Sequence, residues 1–129
     1  MTIVFTIEPT WTRRRWHWVA TTPAGRRIAL SAKIYTRPAS VRRAIARLCR
    51  RAVSGVWTSE TVDFWSVRRW RWSIAGGMYS LAMAALGQAA YANAGAAGRA
   101  AQAFMAALAA GRYIIDTGWC GRRYGEARG

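Results

Sequence analysis

Residues 16–35 read WHWVATTPAGRRIALSAKIY, and residues 70–91 read WRWSIAGGMYSLAMAALGQAAY. Both stretches open on W-x-W, carry Gly at the middle and close on Tyr. Sliding the chain on itself by 56 residues sets Tyr35 on Tyr91, Leu30 on Leu86, Arg43 on Arg99 and Gly55 on Gly111. The W-x-W pairs coincide at 54 instead, so the two hairpin turns differ by two residues. Further on, Val41, Ile45, Leu48, Cys49 and Ala52 fall on Ala97, Ala101, Phe104, Met105 and Leu108, a set with helical spacing. A register sustained through aromatic, glycine and helix-face positions is the mark of an internal repeat.

Each copy can be read locally. Ile3, Phe5 and Ile7 alternate with Val4, Thr6 and Glu8, the period of a strand. Trp16, Trp18 and Ala20 share one face of the next strand, and Arg15, His17 and Val19 the other. Thr22-Pro23-Ala24-Gly25 supplies turn residues. Alternation in the third strand puts Ile28 and Leu30 on the tryptophan side and Arg27, Ser31 and Lys33 on the opposite side. Pro38 suits a first helical turn, the Val41–Ala52 stripe makes an apolar helix face, and Gly55 ends the helix. A short extended segment around Trp57 completes the unit. In the second copy Val62–Val67 and Trp70–Ile74 read as strands around an Arg68-Arg69 turn. Gly76-Gly77 reads as the next turn, Leu81–Leu86 as a strand, Gly95–Ala110 as a helix and Tyr113–Asp116 as the last strand.

The expected fold is α+β: tandem βββα(β) repeats forming one antiparallel sheet, with two helices packed on one face. Residues 1–55 make the first repeat, 56–117 the second with its Ala-rich helix, and 118–129 a basic tail, the repeats together forming one compact domain. The uncharged run Trp72–Gly98 is long enough for a membrane span, yet its Ala and Gly content makes insertion near neutral, and the repeat accounts for it better. Met1–Pro9 lacks the basic opening of a signal peptide. With two Cys and one His, neither a disulfide framework nor a zinc site is expected, and a cytoplasmic setting fits.

The string Trp16-His17-Trp18, Gly25, Ile28-Ala29-Leu30-Ser31, Tyr35 and the Val41–Ala52 helix resembles the YegP-like family, over residues 3–116. The resemblance implies tandem β3-α-β units that assemble into one sheet and exchange their final strands. It implies no activity and no catalytic residue, since none is established for that family. The second copy departs from the pattern where Gly87 stands in the place of Ser31. The Arg excess is a departure as well.

Of 129 residues, 20 are Lys or Arg and 5 are Asp or Glu, a formal net charge of +15. Residues 1–71 carry 15 basic and 3 acidic groups, net +12; residues 72–129 carry 5 and 2, net +3. Lys33 is the one lysine. Such a surface repels itself and gains by releasing counterions from a polyanion, and the Arg fork suits phosphate. Arg13, Arg14, Arg15, His17, Arg26, Arg27, Lys33, Arg68, Arg69 and Arg71 are the candidate nucleic-acid-binding residues, most of them on the sheet face away from the tryptophans. Arg43, Arg47, Arg50 and Arg51 on the first helix form a second basic patch. A three-strand-plus-helix analogy to the arm-binding domains of phage integrases, together with small size, admits a phage or mobile-element origin.

No spaced carboxylate pair, no orienting carboxylate for His17 and no phosphate-loop Lys points to catalysis, and no cofactor or metal is expected. Trp16, Trp18, Trp70 and Trp72 are expected in the core and Cys49 beside them, while Trp11, Trp65 and Trp119 are less constrained. The sequence therefore reads as a non-catalytic nucleic-acid-binding module, with DNA and RNA equally admitted. The alternative is an adaptor that docks on an acidic protein or forms a homo-oligomer through its Ala-rich second helix.

Overall fold

A computed structural model describes residues 1–10, 14–64, 69–77, 80–87 and 91–116. Three strands come first: β1 (Ile3–Pro9), β2 (Trp16–Thr21) and β3 (Arg27–Ser31), followed by α1 (Pro38–Ser54). The same succession follows as β4 (Ser59–Phe64), β5 (Arg69–Gly77), β6 (Ser80–Gly87) and α2 (Ala94–Ala109), with β7 (Tyr113–Asp116) last. The seven strands form one sheet in the order β4-β5-β6-β3-β2-β1-β7. Neighbours are antiparallel apart from β7, which lies parallel to β1 through Ile3↔Tyr113 and Phe5↔Ile115. The architecture is α+β, with both helices contributing to a single core against one face of the sheet.

The halves meet where β3 pairs β6 through Ala29↔Gly87, Leu30↔Leu86 and Ser31↔Ala85. Leu30 and Leu86 are the residues that coincide when the chain is shifted by 56 positions, so corresponding points of the two halves face each other across this ladder. Local contacts also recur. Trp16 and Tyr35 exchange backbone hydrogen bonds of 2.6 and 2.7 Å, and Trp70 and Tyr91 exchange two of 2.7 Å. Gly55 and Gly111, each just past a helix, both sit at φ 73°, a left-handed conformation that costs other residues a Cβ clash. The trailing segment at Trp57 forms no strand, because the chain runs straight into β4.

Trp18 and Trp72 are buried beneath the helices, and Trp16 and Trp70 pack against the same core from the strand ends. Phe5 meets Trp18 edge-on at 5.2 Å, Phe104 at 6.4 Å and Tyr113 at 6.0 Å; Phe104 also lies 5.2 Å from Trp72. The stripe Val41, Ile45, Leu48, Cys49 and Ala52 is buried on α1, as is Ala97, Ala101, Phe104, Met105, Ala107 and Leu108 on α2. The Asn93 side chain caps α2 by accepting from the Ala96 N–H at 2.8 Å, whereas Arg37 gives α1 no side-chain cap and leaves Pro38 to start it.

Two local expectations need correction. A bulge between Ala20 and Thr21 pairs Ala20 with Ala29 but Thr21 with Arg27. Ile28 is the extra residue, and beyond it the alternation changes phase, because side-chain direction has a period of two. Ala29 and Ser31 therefore face the helices, both buried, and Leu30 faces away beside Val19. The buried Ser31 hydroxyl accepts from the Trp18 N–H at 3.2 Å and donates to the Lys33 carbonyl at 2.9 Å, which satisfies it inside the core. Second, Gly76 and Gly77 extend β5 instead of turning, and Gly77 pairs Ser80. The uncharged run Trp72–Gly98, by contrast, contributes to β5, β6 and the start of α2 as expected, and among the described residues no helix is long and apolar enough to cross a membrane.

Gly87 shows why this core tolerates little change. A Cβ there would lie 2.5 Å from the Trp72 Nε1 and 2.7 Å from its Cδ1. Gly87→Ala is expected to lower stability by about 1–3 kcal/mol through overpacking. Gly98→Ala, where a Cβ meets nothing within 4 Å, is expected to raise it by up to about 1 kcal/mol through helix propensity. Urea denaturation of both variants checks the pair, and equal effects would refute the packing account.

Candidate nucleic-acid interface

The candidate residues do not gather into one surface. Arg13 and Arg68 lie outside the described residues, as do Trp11, Trp65, Trp119 and the basic tail. Arg69 pairs with Phe64 through the backbone. Arg14 and Arg15 are exposed in the bend before β2, where the Arg15 carbonyl accepts from the Thr10 N–H at 2.8 Å. Arg26 is exposed in the β2–β3 turn, and Lys33 is exposed beyond the end of β3.

His17, Arg27 and Arg71 occupy the sheet face turned away from the helices, each fixed there by strand register. His17 pairs with Glu8, Arg27 with Thr21 and Arg71 with Val62. Between β2 and β5 stand two further strands, so the His17 and Arg71 columns are about 14 Å apart at the usual strand spacing. The middle of the interval is apolar: the row Thr6, Val19, Leu30, Leu86 and Ser73 crosses the sheet in consecutive pairs, with Val19, Leu30 and Leu86 at its centre. Val19 and Ser73 in that row are buried. The expected continuous basic sheet face is thus divided by this row, with His17 on one side of it and Arg27 and Arg71 on the other, and the phase change at the bulge is what brings Leu30 into it.

His17 does have an orienting carboxylate, contrary to expectation. Its Nε2 lies 3.5 Å from the Glu8 Oε1, directly across the β1–β2 ladder. The signal was present in the sequence, since extending the Ile7 alternation to Glu8 and folding the hairpin sets the two side by side. The hydrogen bond with His17 holds the Glu8 carboxyl below its ordinary value of 4.5, helped by the charges of His17 and Arg27 and opposed by partial burial.

The helix patch is more coherent. Arg43, Arg47 and Arg50 are exposed at i, i+4 and i+7. At about 100° per residue they fall within roughly 60° of one another, opposite the stripe of Val41, Ile45, Leu48 and Ala52. Arg42 is exposed to one side and Arg51 half-buried on the other. Arg43 Nη2 donates to Ser40 Oγ at 3.1 Å. No acidic residue occurs in α1, nor anywhere between Glu8 and Glu60, a span with 12 basic residues. α2 keeps one arginine, Arg99.

Along one side of this stripe, the second half of α1 and the edge strand β7 bound an open groove of about 780 Å³. Arg47, Arg50 and Arg51 line it together with Ala46, Val53 and Tyr113. Tyr113 was not singled out from sequence, and nothing local marks it, because it reaches the groove only through the parallel pairing of β7 with β1. Cys49 is hydrogen-bonded to Tyr113, and burial raises its thiol pKa above the ordinary value.

Two solved structures are similar to this chain in overall fold. The protein of unknown function yegP from E. coli matches with a TM-score of 0.64 and 15% identity, over 90% of this chain and 94% of that one. The fold is YegP-like. A UPF0339 protein from Shewanella oneidensis matches with a TM-score of 0.63 and 11% identity, over 89% of this chain and 92% of that one. At these identities the YegP-like likeness is one of fold. No protein-family model matches the chain, and no curated protein does. The final-strand exchange that the resemblance implied is one-sided among the described residues: β7 crosses from the second half to β1, with no counterpart from the first half.

Because the folded Glu8 pKa is depressed, its contribution to stability is complete above about pH 4.5 and is lost as the pH falls through the folded value. Glu8→Gln is expected to lose less stability than the native chain on acidification from about pH 6 to pH 3, measured by urea midpoints. An equal loss in both chains would show that the pair with His17 is energetically silent.

Proposed function

We propose that this chain binds nucleic acid without catalysis, holding the phosphate backbone through the outer face of α1. The observation that carries the reading is the Arg43–Arg47–Arg50 stripe, solvent-facing on a helix without a carboxylate, in a chain of formal net charge +15. Guanidinium groups donate in pairs to phosphate, and each contact releases condensed counterions. Such contacts position a protein on the backbone and carry little sequence information. The sheet-face cations Arg27 and Arg71 are secondary in this reading because they are only two groups, held on separate strands with β6 between them. The two βββα halves are taken as tandem copies of one unit, of which the first keeps the basic helix.

Fluorescence anisotropy of labelled duplex DNA, single-stranded DNA and RNA, titrated with salt, tests the proposal. Arg43→Gln, Arg47→Gln and Arg50→Gln together are expected to flatten the log–log salt dependence by about 2–3 while leaving the melting temperature unchanged. Arg27→Gln with Arg71→Gln is expected to have a much smaller effect. An unaltered slope in the helix variant removes α1 from the interface. Absence of binding by the native chain, with retention on an acidic protein instead, favours the adaptor reading.

A further inference from the structure

The groove between α1 and β7 differs from the stripe beside it in being part apolar and part cationic. Val53 is 70% exposed there, an apolar side chain left open to solvent beside Ala46. The Tyr113 ring is braced by Phe5 at 6.0 Å and its hydroxyl by Cys49, so the groove has a fixed aromatic group. Arg47 and Arg50 line the same groove and belong to the stripe, and no carboxylate is among the described lining residues. The α1 C-terminus contributes only about half a negative charge, and the basic Arg51 in its last turn offsets that. A volume of about 780 Å³ is in the range of small-ligand sites.

A molecule suited to this surface carries a flat apolar ring a short distance from a phosphate. An unpaired nucleotide has that form, whereas a duplex keeps its bases stacked and offers only its backbone. We propose that the groove seats one unpaired nucleotide, its base against Val53, Ala46 and Tyr113 and its phosphate on Arg47 and Arg50. The protein therefore prefers single strands or frayed ends to duplex. This rests on the phosphate-binding reading of α1 and adds to it a substrate class.

The test compares a fluorescein-labelled oligothymidylate of about 20 nucleotides, long enough to exceed a typical single-strand site, with a duplex of equal length. The native chain is expected to bind the single strand about tenfold more tightly, a difference that stacking of one base can supply. Ala46→Leu with Val53→Leu fills the groove without altering charge. It is expected to abolish the preference while leaving duplex affinity and the melting temperature in place. Arg43→Gln, on the stripe outside the groove, is expected to weaken both ligands alike. Equal native affinities, or a preference that survives groove filling, overturn the groove proposal while the helix reading stands. Failure of both oligonucleotides to bind overturns both.

Discussion

Three backbone pairings between β3 and β6 make one protein of two halves. Had each βββα half kept its third-strand edge free, each would present unpaired N–H and C=O groups beside a small helix-covered core. Joining those edges removes both and sets the helices on the same side of a continuous sheet. Phe104 then reaches from α2 to Trp72 in its own half and to Phe5 in the other. The seam and this aromatic bridge together fix where every other side chain lies, including the outward direction of the arginines on α1.

The asymmetry between the helices follows from what each covers. α1 buries a single stripe and turns the opposite side to water, so it can carry five arginines. α2 buries six residues spread more widely around its circumference and has room for little besides alanine. Gly87 shows the same division in the sheet. Where the first half uses Ser31 to bind Trp18 and Lys33 backbone groups, the second gives that space to the Trp72 indole.

Much of this was legible in the residues. The 56-residue register located both helices to within a residue at most ends, and strand alternation placed Trp18 and Trp72 inward because aromatic burial and the period of two agreed. The phase of β3 was not legible, since one added residue at a bulge reverses every direction after it, and Leu30 and Ser31 exchanged faces as a result. The sheet-face site depended on that phase and became divided. The α1 stripe needed only the helical period, which no bulge interrupts, and it remained intact. Tyr113 could not be found locally: its place in the groove is set by a pairing partner 110 residues earlier, from Ile3 to Tyr113.

That long pairing orders events during synthesis. β1 is made long before its partner, and its outer edge stays open until β7 arrives. The groove between α1 and β7 is thus finished only once Tyr113 has been made. Nascent chains shorter than this would carry the arginine stripe but not the aromatic wall beside it.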